Sequence, residues 1–351
     1  MTELPPPPDG SFASDNAAGV SPEVMDALAA ANPGPALAYG DDPWTRRAED
    51  LLRERFDAPV ESFSCWGGTG ANVVGIASVL QGWEAVVCAD VAHLVVDEAG
   101  ALSRFAGVTV LPVPHERGRI DPNTLEPFLH WLGTEHHPQP KVVSITQATE
   151  YGAVYTTDQI GELADAAHAS GLLVHLDGAR IANALVATGT DLPTMVRDTG
   201  VDVMTLGLTK DGAMYGETVV YLRPELAANA RFVRKQAGQL PSKARFVAAQ
   251  VLALMEGDLW LRNARHANVA ATTLAEKVRE VPGVDVQHDP DVNSVFATLP
   301  PDVIAPLQEW SFFWPWDLTV DLVRWMTSFS TTAEDVDRFV AGVRAVVDRH
   351  R

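Results

Sequence analysis

Only two cysteines, Cys65 and Cys88, occur in the 351 residues, and both lie in short apolar stretches with no CxxC pair. That excludes a disulfide scaffold, and two buried, reduced thiols in a cytoplasmic protein are expected. Basic residues are also scarce. Lys and Arg number 26 against 46 Asp and Glu, a net charge of −20. Such a surface repels phosphate backbones and anionic lipid, so neither nucleic acid nor membrane is expected as a partner. A small anionic ligand in a local positive pocket remains allowed. No apolar run approaches the roughly 18 residues of a spanning helix. The opening MTELPPPPDG lacks a basic stretch followed by an apolar core, so it does not read as a secretory signal. Residues 1–10 read instead as a disordered, Pro-rich tail. His136-His137 before Pro138 reads as a solvated loop, and no metal is expected.

What is present is ordinary globular composition, 46% hydrophobic and 21% charged. Apolar runs at 85–88, 108–113, 142–146, 172–176, 203–206 and 219–222 alternate with amphipathic stretches at 71–80, 122–132, 157–169 and 180–187. That alternation predicts an α/β domain with a mainly parallel sheet and helices on both faces. Ligands of such sheets sit beyond the carboxyl ends of the strands. After Arg223-Pro224 the pattern becomes helical over 225–236, 242–256 and 260–281. Short strands near 284–286 and 292–298 follow, then an aromatic run at 310–316 and a last helix at 333–349. Thr331 with Glu334 reads as its capping box. The division expected is a large domain over 11–255 and a small α+β domain over 256–351. The aromatic run is expected in the small domain's core or an interface rather than in a substrate pocket.

Four features could carry chemistry. Lys210 is one of only five lysines, and it follows an apolar strand and precedes a small-residue turn. A desolvated amine there could act as a Schiff-base nucleophile. Asp177 ends an apolar strand and Arg180 opens the next helix, so a carboxylate could hold a protonated ring nitrogen and a guanidinium could take a carboxylate. The turn Trp66-Gly67-Gly68-Thr69-Gly70 opens a helix whose backbone N–H groups suit a phosphate. His93 follows a strand and could stack on a ring or act as a base. In chain order these are a phosphate cradle, a ring platform, a pyridinium partner and a Schiff-base lysine, the parts pyridoxal phosphate needs.

At these residues the chain resembles the threonine aldolase family of fold-type-I pyridoxal-phosphate enzymes, within the β-eliminating lyase group. The likeness is carried by Phe12-Ala13-Ser14-Asp15-Asn16, Tyr39-Gly40-Asp41-Asp42-Pro43, Gly68-Thr69-Gly70-Ala71-Asn72, His93 with Glu98-Ala99-Gly100, His175–Ala184 and Leu208–Ala213. The forms TKDGA and SKARFVAAQ look closest to the phenylserine-aldolase-like branch.

The resemblance implies a seven-stranded sheet with a smaller C-terminal domain. It also implies a low-specificity L-threonine-aldolase type of activity that cleaves L-β-hydroxy-α-amino acids to glycine and an aldehyde. Lys210 would carry the cofactor, Asp177 would pair with the pyridinium nitrogen, and Gly68 and Thr69 would hold the phosphate. His93 would stack on the ring and move a proton at the β-hydroxyl. Ser14, Arg180 and Arg324 would take the substrate carboxylate. Tyr39 would line the site near a subunit interface of a homodimer or homotetramer. A transaldolase, β-eliminating lyase or racemase would use the same parts. Two departures stand out. Ser14-Asp15 is followed by Asn16 where many members have Thr. Arg234-Lys235 is followed by Gln236–Lys243 instead of a Gly-Gly-Gly-Met-Arg-Gln run, which leaves open which of Arg234, Lys235 and Lys243 meets the phosphate.

Overall fold

Alternating strands and helices assemble on two sheets in the computed structural model, which describes residues 4–350. The large sheet comprises β1 (Glu61–Cys65), β2 (Glu84–Ala89), β3 (Thr109–Val113), β4 (Gln139–Thr146), β5 (Leu173–Gly178), β6 (Val203–Leu206) and β7 (Glu217–Tyr221). Its order is β1-β7-β6-β5-β4-β2-β3. Strands β2 to β6 pair in parallel, and β7 runs antiparallel to both its neighbours. Helices cover both faces, as the alternation implied. Val86, Val142 and Val219 pack on one side, and their chain neighbours Val87, Val143 and Val220 pack on the other. Every position of β5 is buried, which suits a central strand.

The helix Thr157–Ala169 begins on a capping box in which Thr156 and Gln159 satisfy each other's backbone N–H groups. Two further helices, Pro22–Ala31 and Pro43–Phe56, carry no mark in the sequence reading. The second is strongly charged and buries only a narrow stripe, Leu51, Leu52 and Phe56 among it. Its start is set by buried Asp42, whose carboxylate accepts from the Thr45 N–H at 2.8 Å.

The small sheet is antiparallel, in the order β10-β11-β9-β8, from β8 (Asp285–Val286), β9 (Ser294–Thr298), β10 (Pro315–Asp317) and β11 (Leu322–Met326). The helices Leu259–Val278, Pro301–Trp310 and Ala333–Arg349 pack against it. The last helix is capped by Thr332 with Asp335, one residue beyond the expected pair. Thr331 instead accepts the Ser328 N–H at 2.9 Å, which closes the turn before the helix.

The N-terminal arm belongs to this second core. Phe12 is fully buried and stacks on Phe339 at 4.2 Å, while its carbonyl accepts from the Met326 N–H. Of the tail expected over 1–10, residues 1–3 lie outside the described residues. Residues 4–10 lie along the small lobe. The Pro5 carbonyl accepts from Trp310 Nε1 at 2.8 Å, and Asp335 accepts from the Gly10 N–H at 2.8 Å. The aromatic run divides. Phe313 is in the core, whereas Phe312 and Trp314 are exposed and Trp316 turns toward the cleft between the lobes.

Both cysteines are buried and unpaired, and burial pushes each thiol pKa up to about 12. Among the described residues no helix is long and apolar enough to cross a membrane.

Candidate active site

The carboxyl ends of the parallel strands gather the chemistry-bearing residues. Asp177 stands at the end of β5, beside Thr205 of β6. Lys210 follows β6 on the single 3-10 turn Thr209–Asp211. The two strand ends approach so closely that side chains do not fit between them. A Cβ on Gly207 would lie 2.6 Å from the Ala179 backbone, and one on Gly178 would lie 2.7 Å from the Thr205 carbonyl. The glycines therefore bring the Asp177 and Lys210 turns together.

Asp177 is buried. Its two oxygens accept from Asn72 Nδ2 at 2.7 Å and from the Ala179 N–H at 3.0 Å. Behind it on the same strand, His175 is held by Ser144 at 2.9 Å. Burial lowers the His175 pKa to about 4, against the pull of Asp177, so this imidazole is neutral near pH 7. The Lys210 amine also has a lowered pKa. Burial is the main cause and the Arg180 guanidinium adds to it, against Asp15, Asp177 and Glu217. A desolvated amine of this kind holds a larger neutral, nucleophilic fraction than a surface lysine.

His93 starts the short helix after β2. Its Nδ1 donates to Glu98 at 2.9 Å, and its backbone N–H donates to Glu150 at 3.0 Å. A carboxylate oxygen only accepts, so this bond places the proton on Nδ1 and leaves Nε2 with a free lone pair. The Glu98 bond raises the His93 pKa above its ordinary value, against partial burial. The same Glu98 oxygen accepts from Asn72 Nδ2 at 3.0 Å, so one amide joins Asp177 to the His93–Glu98 pair.

Arg180 reaches the site, but its fork is engaged. Nε and an η nitrogen donate to Asp15 at 2.7 and 3.1 Å. Burial works against the Asp15 carboxylate, yet Arg180 and Lys210 outweigh it and bring its pKa down to about 2. Ser14 caps the Asp15–Ala17 turn and donates weakly to Asp15 at 3.4 Å. It thus stands beside the Arg180–Asp15 pair. Arg324, on β11, is different. Its guanidinium lies over the Trp316 ring at 4.6 Å, and its buried Nε has no partner. Burial and Arg180 lower its pKa to about 10. A buried, charged, unpaired donor is costly unless an anion completes it.

Gly68 and Thr69 open the helix Gly68–Ala77 at the end of β1. A Cβ on Gly67 or Gly68 would meet nothing within 4 Å, so the helix start faces open space. An added Cβ on Gly70 would collide with the Gln239 amide, whose oxygen accepts from the Trp66 N–H at 3.1 Å. Gln239 is thus the residue of the 236–243 stretch that touches the helix start. Arg234 is turned aside, bonding the Ser64 carbonyl at 3.2 Å and covering the Phe63 ring. Lys235 lies over the exposed ring of Tyr39 at 5.2 Å.

This donor set fits pyridoxal phosphate. An open helix start can take the phosphate, a buried carboxylate a ring nitrogen, a desolvated lysine the carbonyl and an unpartnered arginine the carboxylate of a substrate. Asp15, Asn72, Glu98 and Gln239 belong to the site as partners, and sequence reading assigned them no role. The first three stood inside quoted motifs, which was the available signal.

The sequence model of the beta-eliminating lyase family matches residues 11–300. The low specificity L-threonine aldolase of Pseudomonas aeruginosa is 38% identical over 96% of this chain and 97% of its own. That of another Pseudomonas species is 36% identical with the same coverage. Among solved structures, the Leishmania major threonine aldolase superposes with a TM-score of 0.88 at 29% identity, over 96% of this chain and 99% of that one.

Proposed function

The chain belongs to the beta-eliminating lyase family, and we propose that it is a pyridoxal-phosphate-dependent aldolase of the threonine aldolase type. Its substrates are L-β-hydroxy-α-amino acids of the L-threonine and L-phenylserine kind, cleaved by retro-aldol chemistry to glycine and an aldehyde. The carrying observation is the pairing of Lys210, with its lowered amine pKa, and Asp177 at adjacent strand ends.

When bound, pyridoxal phosphate supplies a carbonyl for amine exchange and a ring that accepts the electron pair of the broken Cα–Cβ bond. The chain does the rest. Lys210 would hold the cofactor carbonyl through its amine, whose lowered pKa leaves it a larger neutral fraction. The Gly68 and Thr69 backbone N–H groups take the phosphate. Asp177, fixed by Asn72 and the Ala179 N–H, keeps a proton on the ring nitrogen. Arg324 binds the substrate carboxylate, and Arg180 with Ser14 borders that position. His93 covers the ring, and its Nε2 accepts the β-hydroxyl proton as the bond breaks.

Residues 11–255 are assigned to the cofactor-binding domain, with an N-terminal arm that packs into the small lobe through Phe12, and 256–351 to the smaller one. The protein works in the cytoplasm as a homodimer or homotetramer. Exposed Leu37, Tyr39, Trp66 and Met214 support an interface beside the cofactor site. Borohydride reduction of the loaded protein tests the lysine assignment. Peptide mass mapping is expected to find the cofactor on Lys210, and a Lys210→Ala protein is expected to release no glycine from either substrate. Label on another lysine, or undiminished turnover, would overturn the reading.

A further inference from the structure

A side-chain amide carries two N–H hydrogens, and Asn72 gives both to carboxylates of the site. Its Nδ2 donates to Asp177 at 2.7 Å and to Glu98 at 3.0 Å. We propose that Asn72 is a positioning residue that couples the two acid–base groups of the reaction, the Asp177 carboxylate at the ring nitrogen and the Glu98–His93 pair at the β-hydroxyl. The inference rests on the aldolase reading and deepens it by naming a residue that acts only through its neighbours.

The orientation of the amide is fixed by chemistry. An ionised carboxylate only accepts, so turning Asn72 over would aim its Oδ1 at two acceptors. As it stands, Oδ1 is buried without a partner, and so is Oε2 of Glu98. An apolar side chain of that size would fill the same volume without a stranded oxygen, so packing alone does not account for the amide. Asn72 lies one turn into the helix Gly68–Ala77, whose start is proposed to take the phosphate. That helix is pressed onto the sheet, since a Cβ on Gly75 would come within 3.2 Å of Val219 and 3.3 Å of Val203. The phosphate, ring-nitrogen and proton-transfer positions are therefore tied to one rigid element.

One shared oxygen makes the coupling direct. Glu98 Oε1 accepts from Asn72 Nδ2 at 3.0 Å and from His93 Nδ1 at 2.9 Å. Two donors on one oxygen divide its charge, so the amide weakens the hold of Glu98 on the His93 proton. The other charges that bear on His93 are Asp177 and Lys210, with Glu150 at its backbone N–H. Without the amide, Glu98 Oε1 serves His93 alone, and the Asp177 side chain is left with the Ala179 N–H.

Nitrogen NMR of the holoenzyme, isotope-labelled in histidine and in the cofactor ring nitrogen, tests this without reference to turnover. In Asn72→Leu the His93 titration is expected to move to higher pH by roughly 0.5–1. That is opposite to the direction expected for loss of Glu98 itself. The ring-nitrogen resonance is expected to leave its wild-type position in the same variant, and the acid limb of kcat/KM is expected to follow His93. Asn72→Ala also lacks both hydrogens and adds no bulk, so it is expected to move both signals the same way. Lowered thermal stability with both signals unmoved would make Asn72 a packing residue. One signal moving alone would confine it to one carboxylate. Either result would overturn the coupling. Both shifts in a protein that releases no glycine from β-hydroxy amino acids would sink the aldolase reading and leave the coupling standing.

Discussion

Asp15 and Arg180 form a buried two-point ion pair, 2.7 and 3.1 Å, between the N-terminal arm and the helix that follows the Asp177 strand. Asn293 of the small lobe adds a third bond to the same carboxylate at 3.1 Å. The arm, the large sheet and the small lobe thus converge on one carboxyl group. Removing it leaves the Arg180 charge buried and unpaired, which costs about 3–5 kcal/mol. The folded pKa of Asp15, about 2, lies below the ordinary aspartate value of 3.8. Its contribution is therefore present above the unfolded value and lost as pH falls through 3.8 toward 2, about 2 kcal/mol in all. Urea unfolding across that window is expected to show a steeper loss for the wild type than for Asp15→Asn. Identical slopes would contradict the assignment.

His93 and Glu98 lead to a kinetic prediction. The Glu98 carboxylate raises the His93 pKa, and the proposed base is active only when neutral. In Glu98→Gln the raised pKa relaxes downward, so the acid limb of the kcat/KM profile moves to lower pH. An unmoved limb would remove His93 from the proton step.

Asp177→Ala separates chemistry from docking. Lys210 and the helix start proposed to take the phosphate remain, so the cofactor is expected to stay bound. Turnover is expected to fall by roughly 10²–10³-fold, because the carboxylate proposed to stabilise the ring proton is gone. Near-normal turnover would sink that role.

Much of this site was legible because its pieces are local. Asp177 closes an apolar strand and Lys210 follows another on the next turn, and both strands lie where the alternation implied. Partnership was not legible. Asp15 meets Arg180 across 165 positions, and no periodicity encodes that encounter. For the same reason, whether Arg180 or Arg324 is the arginine left unpaired became clear only from the packing. The helix Pro43–Phe56 escaped notice because its charge masks a narrow apolar stripe. The aromatic run was legible only as a block. Consecutive aromatic residues look uniform in sequence, while Phe313 is buried in the core ahead of the short strand Pro315–Asp317, and Trp316 on that strand lines the cleft.

Phe12 tests the arm as a structural element. It is fully buried against Phe339, so Phe12→Ala is expected to cost about 3–5 kcal/mol in denaturant unfolding. A cost near zero would mean that the arm is not part of the small lobe's core.

The most direct measurement is product identification. The purified protein, supplied with pyridoxal phosphate, is incubated separately with L-threonine and L-phenylserine. The account predicts glycine with acetaldehyde from the first and glycine with benzaldehyde from the second. A 2-oxo acid with ammonia would mean elimination, and the retro-aldol roles of His93 and Arg324 would have to be withdrawn.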